Sequence, residues 1–216
     1  MVKLNPWWEN KENILGDEKV KEALSKEKKL ILPPPKENTL IVGPRQVGKT
    51  TFMKLSIWQL MEQGTSPKNI LFFSCELLKK PEEVVELVSE FERMSGGERY
   101  IFLDEVSFVE GWERAVKFLL DNFSKDNVFC FSGSSSIELR KERFPGRPIK
   151  IKEFLPLDFR GFCLLFGSSE LKKEIQTEPG SDLKNLHQKA LELVFRFNEI
   201  SQLFSLYLKS GGFPRA

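Results

Sequence analysis

TLIVGPRQVGKTT, residues 39–51, decides how the chain is read. A β-branched and aliphatic run, 39–42, meets a loop bounded by two glycines. Lys49, Thr50 and Thr51 then lead into a segment with apolar residues at helical spacing. The order is strand, loop, helix, and Gly43, Gly48, Lys49 and Thr50 fit GxxxxGK[ST], the phosphate-binding loop, in the context that motif requires. Gly43 and Gly48 let the backbone curl so that successive N–H groups point inward, at the mouth of a helix whose dipole also favours anions. The loop Gly43, Pro44, Arg45, Gln46, Val47, Gly48, Lys49, Thr50, Thr51 is therefore the expected nucleotide cradle. Lys49 would reach the β- and γ-phosphates, and Thr50 would offer its hydroxyl to Mg²⁺.

Downstream, RYIFLDEV, residues 99–106, runs four apolar residues into Asp104 and Glu105. A buried parallel strand would deliver those carboxylates at its C-terminal end, where open α/β sheets bind ligands. Asp104 is expected to serve the Mg²⁺ hydration shell and Glu105 to orient and deprotonate an attacking water. NVFCFSGSSS, residues 127–136, reads as a further buried strand. Ser132 at its tip is expected to sense the γ-phosphate or the lytic water, while Ser134, Ser135 and Ser136 cap a helix through SSIELRKERF. Arg147, in the turn after Pro145 and Gly146, is a candidate for stabilising phosphoryl-transfer charge, in cis or from a neighbouring subunit. Arg140, Arg143 and Arg160 are weaker candidates.

Between and around these motifs, residues 69–75 (NILFFSC) read as a buried strand, and PEEVVELVSEFERM and GWERAVKFLLDNF as helices. A short strand is expected near 149–151, with a helix opening at Pro156 to Asp158. The polar stretch 168–181 reads as loop or linker. From Asp182 to Ser210 a helical stripe predicts one packing face, closed by Gly211 and Gly212. Before the first strand lie Trp7 and Trp8, a charged helix-like segment from Asp17 to Lys29 and a break at Pro33, Pro34 and Pro35. The indoles either form an apolar wall for a base or pack on the outside of the sheet.

Composition narrows the classes. With 33 basic and 31 acidic residues the net charge is +2, which points neither toward nor away from nucleic acid. KEKK at Lys26 to Lys29 reads equally as a solvated helix face. The three cysteines are far apart in apolar company, as reduced core thiols of a cytoplasmic protein would be. The single histidine, His187, largely excludes histidine triads and multi-histidine metal sites and is read as a surface or boundary residue. The N-terminus lacks the apolar core of a signal peptide, and no run suits a membrane span.

Taken together, GPRQVGKTT, FLDEVSFVEGWERAVKFLLDN, FSGSSS, GRPIKIKEFLPLDFRGF and YLKSGGFPRA resemble an AAA+ type P-loop ATPase family of archaea and bacteria. Gly161 departs from that pattern, which more often has Glu there. The resemblance implies a three-layer α/β/α fold with a parallel sheet ordered 5-1-4-3-2, ATP and Mg²⁺ at Lys49, Thr50, Asp104 and Glu105, and a sensor at Ser132. It further implies a helical lid and a winged-helix or nuclease-like carboxy-terminal domain. The expected division is an N-terminal segment flanking the nucleotide site (1–38), an ATPase core (39–160) and a lid portion (161–216), the sequence being read as an amino-terminal piece of a longer protein. The expected function is Mg²⁺-dependent ATP hydrolysis coupled to conformational change. The alternative is a nucleotide-gated binding or signalling module with little hydrolysis. Expected partners are ATP and ADP, DNA through the further domain, and other copies of the chain. A small-molecule kinase would need an acceptor pocket that the sequence does not suggest, and Glu105 directly after Asp104 favours water as the acceptor.

Overall fold

The structure, a computed structural model, describes residues 2–25, 32–134, 144–176 and 182–213. These fall into two compact units, one of residues 2–25, 32–134 and 144–154, the other of residues 155–176 and 182–213.

The first unit is built on five parallel strands: β1 (Thr39–Gly43), β2 (Ile70–Ser74), β3 (Arg99–Asp104), β4 (Asn127–Ser134) and β5 (Lys150–Glu153), in spatial order β2-β3-β4-β1-β5. This is the expected order read from the other edge. Because side chains alternate along a strand, each strand supplies both faces of the sheet. Leu40, Val42, Leu71, Ile101, Leu103, Phe129 and Phe131 face one core with α3 (Pro81–Met94) and α4 (Trp112–Phe123). Ile41, Ile70, Phe72, Phe102 and Cys130 face the other with α2 (Lys49–Glu62). The continuous apolar runs in the sequence are thus strands covered on both sides, and each fully buried Leu, Ile or Phe contributes about 1.5–3 kcal/mol.

The N-terminal segment closes the β2 edge. It comprises short 3₁₀ turns and α1 (Glu18–Ser25). Asn5, fully buried, acts as a substitute strand: its side-chain amide donates to the Phe72 carbonyl (3.1 Å) and its carbonyl accepts the Phe72 N–H (2.6 Å). Trp7 and Trp8 each donate an indole N–H to the Ile70 carbonyl. Trp7 is buried in the α2-side core, and Trp8 stacks on Phe91 of α3 at 5.8 Å. Of the two sequence readings, packing against the sheet is therefore what these indoles do, three strands away from β1. Lys54 of α2 adds a clasp, 3.4 Å from Asp17 and 3.8 Å from the Phe72 ring centroid; burial pulls its pKa down while Asp17 opposes that pull.

The second unit contains α5 (Phe159–Phe166), α6 (Ser169–Ile175), α7 (Leu183–Leu193) and α8 (Phe197–Ser210). Two sequence expectations change here. Part of the 168–181 stretch expected as loop is helix α6: Ser168 caps it by accepting the Leu171 N–H, Glu199 holds Ser168 in turn, and Leu171 is buried. The single helical stripe from 182 to 210 is interrupted by a 3₁₀ turn at Val194–Arg196, which breaks the 3.6-residue period. Of the expected packing face, Leu203 is buried and Ile200 and Tyr207 pack partly with Phe162 and Cys163. Leu183, Leu191, Val194 and Phe197 are exposed. The helix at Pro156 to Asp158 opens as expected, with the Asp158 carboxylate accepting the Gly161 N–H. Gly212 accounts for the pairing of two distant motifs: its carbonyl accepts the Leu157 N–H, and a side chain there would collide with the Leu157 carbonyl. The helix expected through SSIELRKERF, with Ser135, Ser136, Arg140 and Arg143, lies outside the described residues except for Phe144, as does KEKK. Among the described residues, no helix is long and apolar enough to cross a membrane.

Candidate functional site

The C-terminal ends of β1, β3 and β4 meet at one place. Gly43 ends β1 where no side chain fits, since a Cβ would collide with the carbonyl of Phe154 just beyond β5. The loop then uses left-handed backbone at Gln46 (φ 68°) and Gly48 (φ 95°), an alternation from which anion-binding nests of N–H groups are built. Gly48 caps α2 without a side-chain bond, leaving the helix mouth to the main chain. Lys49 is buried, and its ammonium donates to the carbonyls of Gly43 (2.8 Å) and Pro44 (3.0 Å).

Two side-chain chains cross this mouth. In the first, the Thr50 hydroxyl donates to Asp104 Oδ2 at 2.8 Å, and the buried Ser132 hydroxyl donates to Asp104 Oδ1 at 2.5 Å. Ser132 also accepts the Glu105 N–H at 2.9 Å. In the second, Glu105 Oε1 lies 3.6 Å from Lys49 Nζ, and Glu105 Oε2 accepts from the Ser134 hydroxyl at 2.9 Å. The two carboxylates come from adjacent residues, which in a continuing strand would face opposite sides of the sheet. Asp104 shares the parity of Phe102 and faces α2. Glu105 takes left-handed backbone (φ 52°), which breaks the alternation and brings its side chain to the same mouth.

Lys49, Thr50, Asp104, Glu105 and Ser132 are thus brought together. Ser132 holds the Asp104 carboxylate and the Glu105 backbone. Arg147 is not brought to them. Its guanidinium makes a two-bond fork with Asp121 on α4 (2.8 and 2.6 Å), which raises its pKa. It precedes β5, whose Lys150 pairs with Thr39, so it sits at the start of β1, about 13 Å of strand from Gly43. The in-cis reading of Arg147 is corrected on that ground. Arg45 leaves the loop for the surface, 5.7 Å from the Phe108 ring centroid. Pro44, Val47 and Thr51 keep their places in the loop and the first turn of α2, with Val47 buried.

Sequence reasoning missed Ser134 as a partner of Glu105. Serines at 132 and 134 fall on the same strand face as Cys130, and that spacing was a readable signal. The turn of Glu105 toward them was not.

Oxygen donors at Thr50 and Asp104 suit a small hard cation. Among the described residues no group of three His, Cys, Asp or Glu could hold a metal alone. Mg²⁺ typically keeps several waters and binds through one or two carboxylates plus substrate phosphates, so this sparse set fits it.

Comparison with known proteins adds the following. A family model described as an AAA domain matches residues 35–163. An uncharacterized protein of Haemophilus influenzae is 29% identical over 183 residues, covering 81% of this chain and 39% of that protein. The chain thus spans about two fifths of that relative's length. Among solved structures, a Thermotoga maritima RuvB mutant is 19% identical with a TM-score of 0.41, covering 77% of this chain and 51% of that one. Aeropyrum pernix ORC1 in complex with DNA is 15% identical with a TM-score of 0.47, covering 80% and 48%.

Proposed function

The chain belongs to the AAA domain family, and from that premise we propose that it binds ATP with Mg²⁺ and hydrolyses the β-γ phosphoanhydride, coupling nucleotide state to conformational change. One observation carries the reading: Thr50 to Asp104 at 2.8 Å and Lys49 to Glu105 at 3.6 Å set a hydroxyl, a cation and two acids around the mouth of α2. In this role Lys49 exchanges the Gly43 and Pro44 carbonyls for the β- and γ-phosphate oxygens, and the loop amides of residues 44–50 receive the remaining charge. Thr50 and Asp104 would hold Mg²⁺, which supplies charge neutralisation at the β- and γ-oxygens. Glu105 takes a proton from the attacking water as the new P–O bond forms, the bond to the bridging oxygen breaks, and ADP and inorganic phosphate leave. Residues 161–216 are read, within the same proposal, as part of a helical lid. DNA and further copies of the chain are proposed partners only by sequence resemblance; binding to DNA that weakens steeply with salt supports phosphate contact.

Lys49→Ala is expected to weaken ATP binding by about a hundredfold or more, and Glu105→Gln to keep binding while lowering kcat by about 10²–10⁴. Equilibrium binding of a fluorescent ATP analogue and steady-state phosphate release measure the two. Parent-like hydrolysis in both variants rejects the assignment. Slow turnover insensitive to Glu105→Gln, with partner binding that follows nucleotide, selects the nucleotide-gated module instead.

A further inference from the structure

We propose that the Arg45 side chain is catalytic: its guanidinium turns inward, within its own chain, to meet the charge that develops as the β-γ phosphoanhydride breaks. The inference rests on the ATPase reading above. It supplies the cation that Arg147, forked to Asp121 at the other end of the strands, does not. Arg45 lies inside the phosphate loop, between Gly43 and Gly48, and is exposed. Arg99, Arg147 and Arg196 are each paired with an acid. Among the described residues Arg45 has no such partner, and its contact is the Phe108 ring, 5.7 Å from guanidinium carbon to centroid. A cation–π contact at the surface is weak, so leaving it costs little.

Position decides what the side chain can reach. The Lys49 ammonium, assigned above to the β- and γ-phosphates, lies 3.0 Å from the Pro44 carbonyl oxygen and 3.6 Å from Glu105 Oε1. Arg45 follows that carbonyl directly, so its Cα stands no more than about 6 Å from the ammonium, within the span of an extended arginine side chain. Phe108 donates its N–H to the Glu105 carbonyl at 3.1 Å, so the guanidinium rests over the turn that carries the proposed base. In the hydrolytic step the water oxygen bonds to the γ-phosphorus and its proton passes to Glu105. The bond to the bridging oxygen breaks, its electron pair staying with ADP. A guanidinium is planar and permanently charged, and its parallel N–H donors span two oxygens at once, which a lysine's point charge does not.

The experiment measures kcat for ATP hydrolysis, Kd for ADP with Mg²⁺, and Kd for ADP with Mg²⁺ and aluminium fluoride, a mimic of the phosphoryl group in transfer. The chains compared are the parent, Arg45→Ala and Arg45→Lys. Arg45→Ala should lower kcat about a hundredfold or more and weaken the fluoride complex by a similar factor, while Kd for ADP stays within about threefold. Arg45→Lys should recover part of both losses. Parent-like kcat in Arg45→Ala overturns the proposal. So does a loss of ADP affinity as large as the loss in the fluoride complex, which would make Arg45 a general phosphate contact. Mixing Arg45→Ala with Glu105→Gln tests whether the arginine acts within its own chain, because each variant keeps what the other lacks. No recovery of hydrolysis is expected, and recovery would place the arginine at a neighbouring copy's site and overturn the proposal. Failure of the ATPase reading shows itself separately, since a parent that neither hydrolyses ATP nor forms the fluoride complex removes both.

Discussion

Single residues at the mouth of α2 illustrate how few atoms hold the arrangement. Ser132 is fully buried and serves both acids, donating to Asp104 and accepting the Glu105 N–H. Ser132→Ala leaves a buried N–H and a carboxylate oxygen each short of a partner, at a cost of about 1–3 kcal/mol. Urea unfolding should show that loss, and an unchanged midpoint would mean that the hydroxyl is dispensable for stability. The cysteines make a second case. Burial pushes the Cys75 thiol from 9.0 to about 12, with Asp104 adding to it, and pushes Cys163 up to about 11. All three are free and buried. The folded-state pKa of Cys75 is raised, so in the window from pH 9 to about 12 the folded chain holds a proton that the unfolded chain releases. Stability from this thiol is fully present below pH 9 and falls as pH rises, by about 1 kcal/mol at pH 10. The check is the difference in urea midpoint between pH 8 and pH 10, compared in the parent and Cys75→Ala: the parent should lose more.

At the scale of elements, the β2 edge depends on a segment far away in sequence. An edge strand exposes unpaired N–H and C=O groups, and here Asn5, Trp7 and Trp8 occupy those of Phe72 and Ile70. Asn5→Ala removes both bonds to Phe72 and should cost about 1–3 kcal/mol. The Phe72 amide should then lose protection in hydrogen exchange, while the amides of β4 at the centre of the sheet keep theirs. Equal loss in β2 and β4 would show global rather than edge destabilisation. The second unit shows the converse dependence. Helix α6 is capped locally by Ser168, and Glu199 of α8, 31 residues later, holds that cap in place.

For the whole molecule, nucleotide binding and stability are linked. If ATP binds the folded loop and not the unfolded chain, ATP at about a hundred times its Kd stabilises by about 2.7 kcal/mol. A thermal melt should move upward with ATP and Mg²⁺ in the parent and stay put in Lys49→Ala, and a shift of equal size in both would place binding elsewhere. How far this could be read in advance follows from the range of the forces. The phosphate loop, the acids ending β3, and the strands and helices of the first unit are encoded by neighbours within a few residues: apolar runs, glycines and caps. Those features the sequence determined by itself, and the order of the strands came with the resemblance carried by several motifs together. Only the tertiary structure decided that left-handed backbone turns Glu105 to Asp104's side of the sheet, that Ser134 meets it there, that Arg147 pairs with Asp121 at the far end of the strands, and that the tryptophans seal an edge. Each of these depends on a contact between groups separated in the chain, or on a backbone angle that such contacts hold, and neither leaves a period or a spacing to be read.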